Sequence, residues 1–323
     1  MRNKLLILAI IILIGCIVYI NFSNWQKTHS QAQSKPQETE KIIKSLELKN
    51  SNYNLTKSTQ LIAQRKSNAY ETDIYADSYI LIDKDSGQIL AKKNENYKMP
   101  IASTTKIMTA IIALENYNLN DTITISNEAN SQIGSTIYLG AGQKFLVMDV
   151  LYDLLVKSGN DGAYALAEKM GVNKFIDLMN QKAKYLGIAN THFLDPAGLD
   201  DQGFSTAYDL AYITKYALKN EVFRRIISTQ EAKIYSINDS YEYILENSNR
   251  LILPDELFYL PYAIGVKTGN TPDAGHCLVS AAVKDNHTLI SVILHTDEDT
   301  ADASAKESKK LLEWGFDNFE WKN

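Results

Sequence analysis

Cysteine is scarce in this sequence, with two residues in 323, Cys16 and Cys277. Cys16 lies inside an N-terminal apolar run and Cys277 in another apolar run far along the chain, so we expect no disulfide bond between them. Two cysteines are also too few for a structural zinc site of the usual cysteine-rich kind. We assign no metal and no cofactor to this sequence.

An excess of basic residues is also absent. The 33 lysines and arginines are outnumbered by 38 acidic residues, and the formal net charge is -5. Proteins that grip the phosphate backbone use clustered positive charge, so nucleic acid is a poor candidate partner. Hydrophobic residues make up 45% of the chain and charged residues 22%, a composition typical of a globular protein with a sizeable core.

Residues 1–22 have the pattern of a signal segment or membrane anchor. Arg2 and Lys4 precede an apolar run, Leu5–Ile20, and aromatic Phe22 and Trp25 follow it. As a helix to Phe22 the segment is about 27 Å long, close to a hydrocarbon thickness of about 30 Å. No small-x-small cleavage site ends the run, so we expect an uncleaved anchor that leaves the bulk of the chain on the extracytoplasmic face of the membrane.

A second interpretation of this segment stays open. Leu13-Ile14-Gly15-Cys16 resembles a bacterial lipobox, in which the cysteine becomes a lipidated N-terminus. Either interpretation leaves the protein outside and tethered to the cytoplasmic membrane. Residues 23–70 are polar and offer little apolar surface to offset the entropy of ordering, which predicts a linker, with the folded domain at 71–323.

The pattern after the linker predicts an α+β fold. Helical periodicity occurs at 103–116, 147–158, 162–170, 172–186, 206–219 and 299–316. Strand-like runs occur at 79–83, 88–91, 263–266, 277–284 and 288–295. Strands at both ends with helices between them predict one antiparallel sheet flanked by helices, with an inserted helical lobe and a cleft between the two.

The first chemical motif is Ser103-Thr104-Thr105-Lys106, at the start of the first long helical pattern. Ser103 and Lys106 are three positions apart, so both project from one helix face. A serine hydroxyl needs a base to become a nucleophile, and lysine acts as one only when its pKa falls from about 10.4 towards 7. Taken alone, the motif fits a serine N-cap equally well.

Two further motifs share this ambiguity. Ser158-Gly159-Asn160 follows an apolar helical run and fits a C-cap at Gly159, or a hydroxyl and an amide that contact a substrate. Lys267-Thr268-Gly269 follows the strand at 263–266. A cation, a hydroxyl and a residue without a side chain suit a peptide that lies alongside as an added strand, although a charged strand end is common too.

Together and in this order, the three motifs resemble the set S-x-x-K, S-D-N and K-T-G of penicillin-binding proteins, with Gly159 in place of the aspartate. The sequence is similar to the D-alanyl-D-alanine carboxypeptidase family, the low-molecular-weight penicillin-binding proteins, from about Ile74 to Phe316. Other similar segments are Pro100–Ala110, Leu154–Glu168, Asn190–Phe193, Pro196–Leu199, Ser205–Leu210 and Ala274-Gly275. The resemblance implies a β-lactamase/transpeptidase-like fold.

The resemblance also implies a mechanism. Ser103 attacks the carbonyl between two D-alanines of a peptidoglycan stem peptide, and Lys106 takes its proton. Ser158 and Lys267 return the proton to the leaving D-alanine, and Asn160 holds the substrate amide. Water then releases the acyl group from the enzyme.

The remaining roles that the family implies concern binding. The backbone N–H groups of Ser103 and Asn270 form an oxyanion hole, Thr268 binds the terminal carboxylate beside Gly269, and Arg250 resembles a family arginine near that carboxylate. β-Lactam inhibitors are expected to acylate Ser103 for the same geometric reason.

Three rival functions remain in view. A class A β-lactamase needs a glutamate that activates water, and no Glu-x-x-Leu-Asn occurs between Asn160 and Lys267. A D,D-endopeptidase would use the same residues as a carboxypeptidase. A non-catalytic penicillin sensor is disfavoured by the intact motifs. None of the five histidines is marked as a base: His29, His192, His276, His287 and His295.

Overall fold

The computed structural model describes residues 61–322. The N-terminal anchor, the lipobox and the linker up to residue 60 lie outside the described residues and stay predictions. Within residues 61–322, no helix combines the length and the apolar character needed to cross a membrane.

The described residues form eleven strands and eight α-helices. The strands are β1 Ile62–Arg65, β2 Ala76–Asp83, β3 Ile89–Lys93, β4 Thr122–Thr124, β5 Lys144–Leu146, β6 Glu231–Tyr235, β7 Glu242–Glu246, β8 Ala263–Thr271, β9 Gly275–Lys284, β10 His287–Thr296 and β11 Phe319–Lys322. The helices are α1 Lys106–Asn116, α2 Asn127–Asn130, α3 Val147–Tyr152, α4 Asn160–Glu168, α5 Val172–Tyr185, α6 Ala207–Ala217, α7 Glu221–Ile227 and α8 Ala303–Asn318.

Five strands make one antiparallel sheet in the order β3-β2-β10-β9-β8. Strands β2 and β3 come from the N-terminal part of the domain, and β8 to β10 come from the C-terminal part. The two parts join where β2 pairs with β10, with Ile80 opposite Val292. The predicted α+β fold, with one sheet built from both ends of the domain, is confirmed.

Both faces of the sheet are covered, which explains why its central strands are so apolar. Successive side chains of a strand point to opposite faces. Ile80 and Ile82 accordingly pack into the core of the helical lobe, whereas Leu81 packs towards α8. Gly315 of α8 allows that close approach, because a Cβ there would lie 2.6 Å from Leu81 Cδ2.

The helical lobe is inserted between β3 and β8, as expected. Its central helix, α1, is buried at every position from Lys106 to Ala113, which is the pattern of a helix enclosed on all sides. Helices α4, α5 and α6 pack against it. A lysine at the first position of such a helix is therefore held away from water.

The structure alters several predicted boundaries. The pattern at 103–116 begins as a 3-10 turn, Ala102–Thr105, before α1. The pattern at 147–158 divides into α3 and a π-helical turn, Asp153–Lys157. Helix α8 begins at Ala303 instead of 299, and β8 runs to Thr271, so Lys267-Thr268-Gly269 lies inside a strand.

The predicted linker at 23–70 is wrong at its end. Strand β1 lies within it and pairs antiparallel with β11, with Ala63 opposite Trp321. The Trp314 indole donates a hydrogen bond of 2.7 Å to the Tyr70 carbonyl. The folded domain thus begins by residue 62, not 71. Backbone pairing with the distant C-terminal strand orders this segment, and local hydrophobicity gives no sign of that pairing.

Candidate active site

The Ser103 hydroxyl and the Lys106 amine are in direct contact. Ser103 lies in the 3-10 turn that precedes α1, and Lys106 is the first residue of α1. The Lys106 Nζ donates a hydrogen bond to Ser103 Oγ at 2.8 Å. Ala102, just before the serine, has a φ of +46°, a conformation that a residue with a Cβ rarely adopts and that is common at functional sites.

Lys106 is fully buried and has two further acceptors. Its Nζ donates to Asn160 Oδ1 at 2.6 Å and to the Ala197 carbonyl at 2.9 Å. Burial lowers the pKa of Lys106 from 10.5 to about 7, against the opposing charges of Asp195, Asp153 and Asp161. The lowered pKa expected from the sequence is present, so a neutral amine is available near neutral pH.

The turn that carries Ser158 has an unusual backbone. Ser158 ends the π-helical turn with φ +70° and is 5% exposed, whereas Gly159 has φ −58°. The C-cap interpretation of Gly159 is therefore wrong, since the left-handed residue is the serine. Gly159 is required for space: a Cβ there would lie 2.1 Å from Asp153 Oδ2. Within the described chain the Ser158 hydroxyl has no hydrogen-bond partner.

Asn160 connects the lobe loop at 133–135 to the lysine. Its backbone N–H donates to the Ser135 carbonyl at 2.7 Å, and its Nδ2 donates to the Ile133 carbonyl at 2.5 Å. The side-chain oxygen accepts from Lys106. An asparagine amide has two N–H donors, so one donor remains beyond the Ile133 contact, and the implied role in holding the substrate amide stays a prediction.

Lys267 lies on β8 and is also buried, with 1% exposure. Its Nζ donates to the Thr268 carbonyl at 3.0 Å. Burial lowers the pKa of Lys267 well below its ordinary value, and the nearby charge of Lys106 lowers it further. The Lys106 amine therefore lies close enough to Lys267 to affect its pKa.

Gly269 brings β8 against the nucleophile. A Cβ at this position would lie 3.0 Å from the Ile101 carbonyl and 3.2 Å from the Ser103 nitrogen. The strand therefore passes directly beside the turn that holds Ser103. Because β8 is an edge strand of the sheet, its free backbone groups are open to an added peptide strand.

The remaining predicted residues differ in their surroundings. Thr268 Oγ1 lies 2.8 Å from the Ser248 hydroxyl, a contact that the motifs did not indicate. Asn270 is exposed on β8, one residue beyond Gly269. Arg250 forms an ion pair with Asp302 and lies 3.9 Å from Glu256. The guanidinium thus already interacts with two carboxylates. Within residues 61–322, the Arg250 side chain donates no hydrogen bond to Lys267 or Thr268.

Asp195 is a site residue that motif reasoning missed. Its carboxylate accepts four backbone N–H groups, those of Ala197, Gly198, Leu199 and Asp200, at 2.6 to 3.0 Å. This turn aims the Ala197 carbonyl at Lys106. Gly198 has φ +77° and lies so close to the nucleophile turn that a Cβ would be 2.0 Å from the Ala102 carbonyl. An aspartate before Pro-x-Gly is a turn signal that could have indicated it.

Comparisons with known proteins agree with this geometry. Residues 62–298 match the profile of the family described as D-alanyl-D-alanine carboxypeptidase. The D-alanyl-D-alanine carboxypeptidase DacF of Bacillus subtilis is 36% identical over 253 residues, which cover 76% of this chain and 63% of that protein. The DacA protein of Haemophilus influenzae is 35% identical, with 76% and 63% covered. The chain thus spans less than two thirds of these curated relatives.

Solved structures give the same result. The Streptomyces K15 DD-transpeptidase superposes with a TM-score of 0.71 at 32% identity, over 77% of this chain and all of that chain. A D-alanyl-D-alanine carboxypeptidase from Mycobacterium tuberculosis has a TM-score of 0.71 at 31% identity, with 79% and 96% covered. The fold is therefore β-lactamase/transpeptidase-like. The chain belongs to the D-alanyl-D-alanine carboxypeptidase family.

Proposed function

We propose that this protein is a serine D,D-carboxypeptidase that removes the terminal D-alanine from peptidoglycan stem pentapeptides. The observation that carries the proposal is the 2.8 Å contact between Lys106 Nζ and Ser103 Oγ, with burial lowering the pKa of the lysine to about 7. A neutral amine at that distance accepts the hydroxyl proton at physiological pH, and Ser103 becomes a nucleophile.

In the proposed reaction, Ser103 Oγ forms a bond to the carbonyl carbon between the two D-alanines. The C–N bond then breaks, and the leaving amine takes a proton that passes from Lys106 by way of Ser158 and Lys267. Water hydrolyses the resulting ester, releases the shortened peptide and restores the Ser103 hydroxyl. The buried position of both lysines supports this route, because a lowered pKa lets each amine gain and lose a proton easily.

Binding of the peptide follows from the edge of the sheet. The stem peptide adds beside β8, and its terminal carboxylate lies near Thr268. The backbone N–H groups of Ser103 and Asn270 stabilise the developing oxyanion, each by about 3 kcal/mol. Gly269 leaves room for the carbonyl, and the free N–H of Asn160 holds the substrate amide. β-Lactams offer the same carbonyl and acylate Ser103.

The proposal includes a cellular location. Peptidoglycan lies outside the cytoplasmic membrane, and the N-terminal segment has the pattern of an anchor or a lipidation site at Cys16. We expect either form to hold the domain on the extracytoplasmic face. Fractionation of cells that express the full chain, followed by penicillin labelling of intact cells, tests this placement; a labelled protein in the cytosolic fraction would contradict it.

The direct test of activity is D-alanine release from a pentapeptide, comparing the full chain with Ser103→Ala. We expect release from the wild type and none from the variant, because the variant lacks the atom that forms the acyl-enzyme. A variant that retains release would exclude Ser103 as the nucleophile. Cross-linked dimers in a parallel reaction distinguish the endopeptidase, which separates whole stems.

A transpeptidase is the second candidate, because one structural relative is the Streptomyces K15 DD-transpeptidase. Both activities share the acyl-enzyme and differ in whether water or an amine attacks it. Adding a glycine-type amine acceptor to the pentapeptide reaction separates them. We expect mainly hydrolysed product; a product that is mainly coupled to the acceptor would favour the transpeptidase.

A further inference from the structure

Asp153 is a buried carboxyl group for which the proposed mechanism has no use. It is fully buried at the first position of the π-helical turn. Within residues 61–322, neither of its carboxyl oxygens accepts a hydrogen bond of normal geometry. An ionised carboxylate without donors is strongly disfavoured in a protein interior, and such a group usually takes up a proton instead.

The carboxyl group lies directly under the second motif. A Cβ at Gly159 would be 2.1 Å from Asp153 Oδ2, and a Cβ at Gly162 would be 2.2 Å from the same atom. Gly159 directly precedes Asn160, whose side chain accepts a hydrogen bond from Lys106, and Gly162 lies two residues after it. The Asp153 carboxyl therefore fills the space that the glycines leave beneath the turn Ser158–Asn160.

A second carboxyl group, Asp161, faces Asp153. The pKa of Asp153 is raised well above its ordinary value, first by burial and then by its interaction with the Asp161 carboxyl group, while Lys106 and the backbone N–H of Gly162 act the other way. Asp161 itself accepts the N–H groups of Ile137, Leu139 and Gly162 at 3.0 to 3.2 Å. Asp161 already accepts three backbone N–H groups, so a proton between the two carboxyl groups is assigned to Asp153.

We propose that Asp153 is a protonated positioning residue, which donates a hydrogen bond to Asp161 and thereby fixes the two lobe segments that support Lys106. One segment is the turn Ser158–Asn160. The other is the loop from Ile133 to Leu139, which Asp161 holds through backbone N–H groups and which accepts two hydrogen bonds from Asn160. The catalytic consequence rests on the proposed function, whereas the protonation does not.

The charge of Asp153 matters for Lys106. A negative charge at Asp153 raises the pKa of Lys106 and so favours the protonated amine over the neutral form that acts as a base. A neutral Asp153 supports the structure at the same place without that cost. A protonated Asp153 therefore supports the turn without raising the pKa of Lys106.

The test is Asp153→Asn in the full chain, followed by thermal unfolding across pH. An amide is neutral and still donates to Asp161. Above about pH 4 the unfolded chain releases the Asp153 proton, whereas the folded wild type keeps it. The stability of the wild type therefore falls as the pH rises from about 4 towards neutral. The variant escapes this loss, so we expect it to unfold at a higher temperature than the wild type at neutral pH, with the difference vanishing towards about pH 4.

Asp195→Asn is the matched control, since Asp195 is a buried acid that accepts four N–H groups. We expect this control to lower the unfolding temperature at neutral pH. If Asp153→Asn lowers it as well, Asp153 is ionised in the fold and the proposal is wrong. Thermal unfolding does not depend on enzyme activity, so its result is independent of the proposed function. Failure of the proposed function would show instead as a wild type that penicillin does not label.

The role in positioning has its own readout, the rate of Ser103 acylation by a fluorescent penicillin. We expect Asp153→Asn to stay within about threefold of the wild type with an unchanged pH midpoint, and Asp153→Leu, which has no donor, to fall at least about tenfold. Equal rates for all three forms would overturn the positioning role. If the leucine variant does not fold, a shifted midpoint in the asparagine variant would still overturn it.

Discussion

The two sides of the active site are built in different ways. On the sheet side, Lys267 lies in a strand that pairs with β9 from Ala263 to Thr271, with one irregularity near Gly265. On the lobe side, Ala102 and Ser158 have left-handed backbone conformations, a π-helical turn interrupts the helix, and within residues 61–322 the Asp153 carboxyl oxygens accept no hydrogen bond of normal geometry. The unusual backbone at Ala102 and Ser158 thus lies where side chains must be aimed at a reacting atom.

The buried lysines show the same contrast. Lys106 donates to three acceptors from three segments of the lobe, whereas the acceptors of Lys267 belong to its own neighbour, Thr268. The lobe thus specifies the position of an amine, and the sheet provides a straight edge for the peptide. We expect substitutions in the lobe to affect chemistry and those on the sheet to affect access and binding.

The largest effect is expected from Lys106→Arg. Arginine keeps the positive charge but cannot become neutral in a protein, so no base remains beside Ser103. We expect penicillin acylation to fall by roughly 10²- to 10⁴-fold, measured by stopped-flow or gel labelling. Lys184→Arg, at an exposed position of α5, is the control and should leave the rate unchanged. An active Lys106→Arg would show that the proton goes elsewhere.

A smaller effect is expected from Gly269→Ala on the sheet side. The new Cβ would meet the Ile101 carbonyl at 3.0 Å and the Ser103 nitrogen at 3.2 Å, so the strand must move away by a few tenths of an ångström. We expect acylation to slow by roughly tenfold, since small displacements of the reacting groups are costly. Val283→Ala, at an exposed position of β9, is the control and should leave the rate unchanged. An acylation rate that is unchanged in Gly269→Ala would mean that the reaction tolerates displacement of the sheet edge.

The smallest effect is expected from Arg250→Ala. The family resemblance implies a contact with the substrate carboxylate, but the guanidinium is paired with Asp302 at a partly exposed site, and such pairs contribute about 0–1 kcal/mol to stability. We therefore expect KM for a pentapeptide to change less than about threefold. A tenfold rise in KM with unchanged kcat would restore the implied role and show that the ion pair opens for the substrate.

Much of this architecture could be predicted from local patterns. The long helices and the central strands have clear periodicity, and the three motifs mark Ser103, Lys106 and Lys267 because their chemistry is carried by residue type and spacing. Strands β1, β4 to β7 and β11 were missed, as were α2 and α7. These elements are short, and the strands depend on partners distant in sequence, so their few residues show no clear period.

The supporting residues were harder to predict for a different reason. Asp153, Asp161 and Asp195 act through burial and backbone hydrogen bonds that exist only after folding, and nothing in the sequence says that Asp153 lacks a donor. Gly159 is an example of a residue whose role cannot be predicted from the sequence. The sequence suggests a left-handed cap, whereas the structure uses the glycine to make room for a carboxyl group.

The most direct test of the account is the pH dependence of Ser103 acylation by penicillin in the wild type, from about pH 5 to about pH 9. Burial lowers the pKa of Lys106 to about 7, and only the neutral amine can accept the serine proton. We predict a rate that rises about tenfold per pH unit at the acid end and levels off above a midpoint near 7. A rate independent of pH over this range would contradict the account, and so would a rate that still rises about tenfold per pH unit at about pH 9, as an ordinary lysine would give.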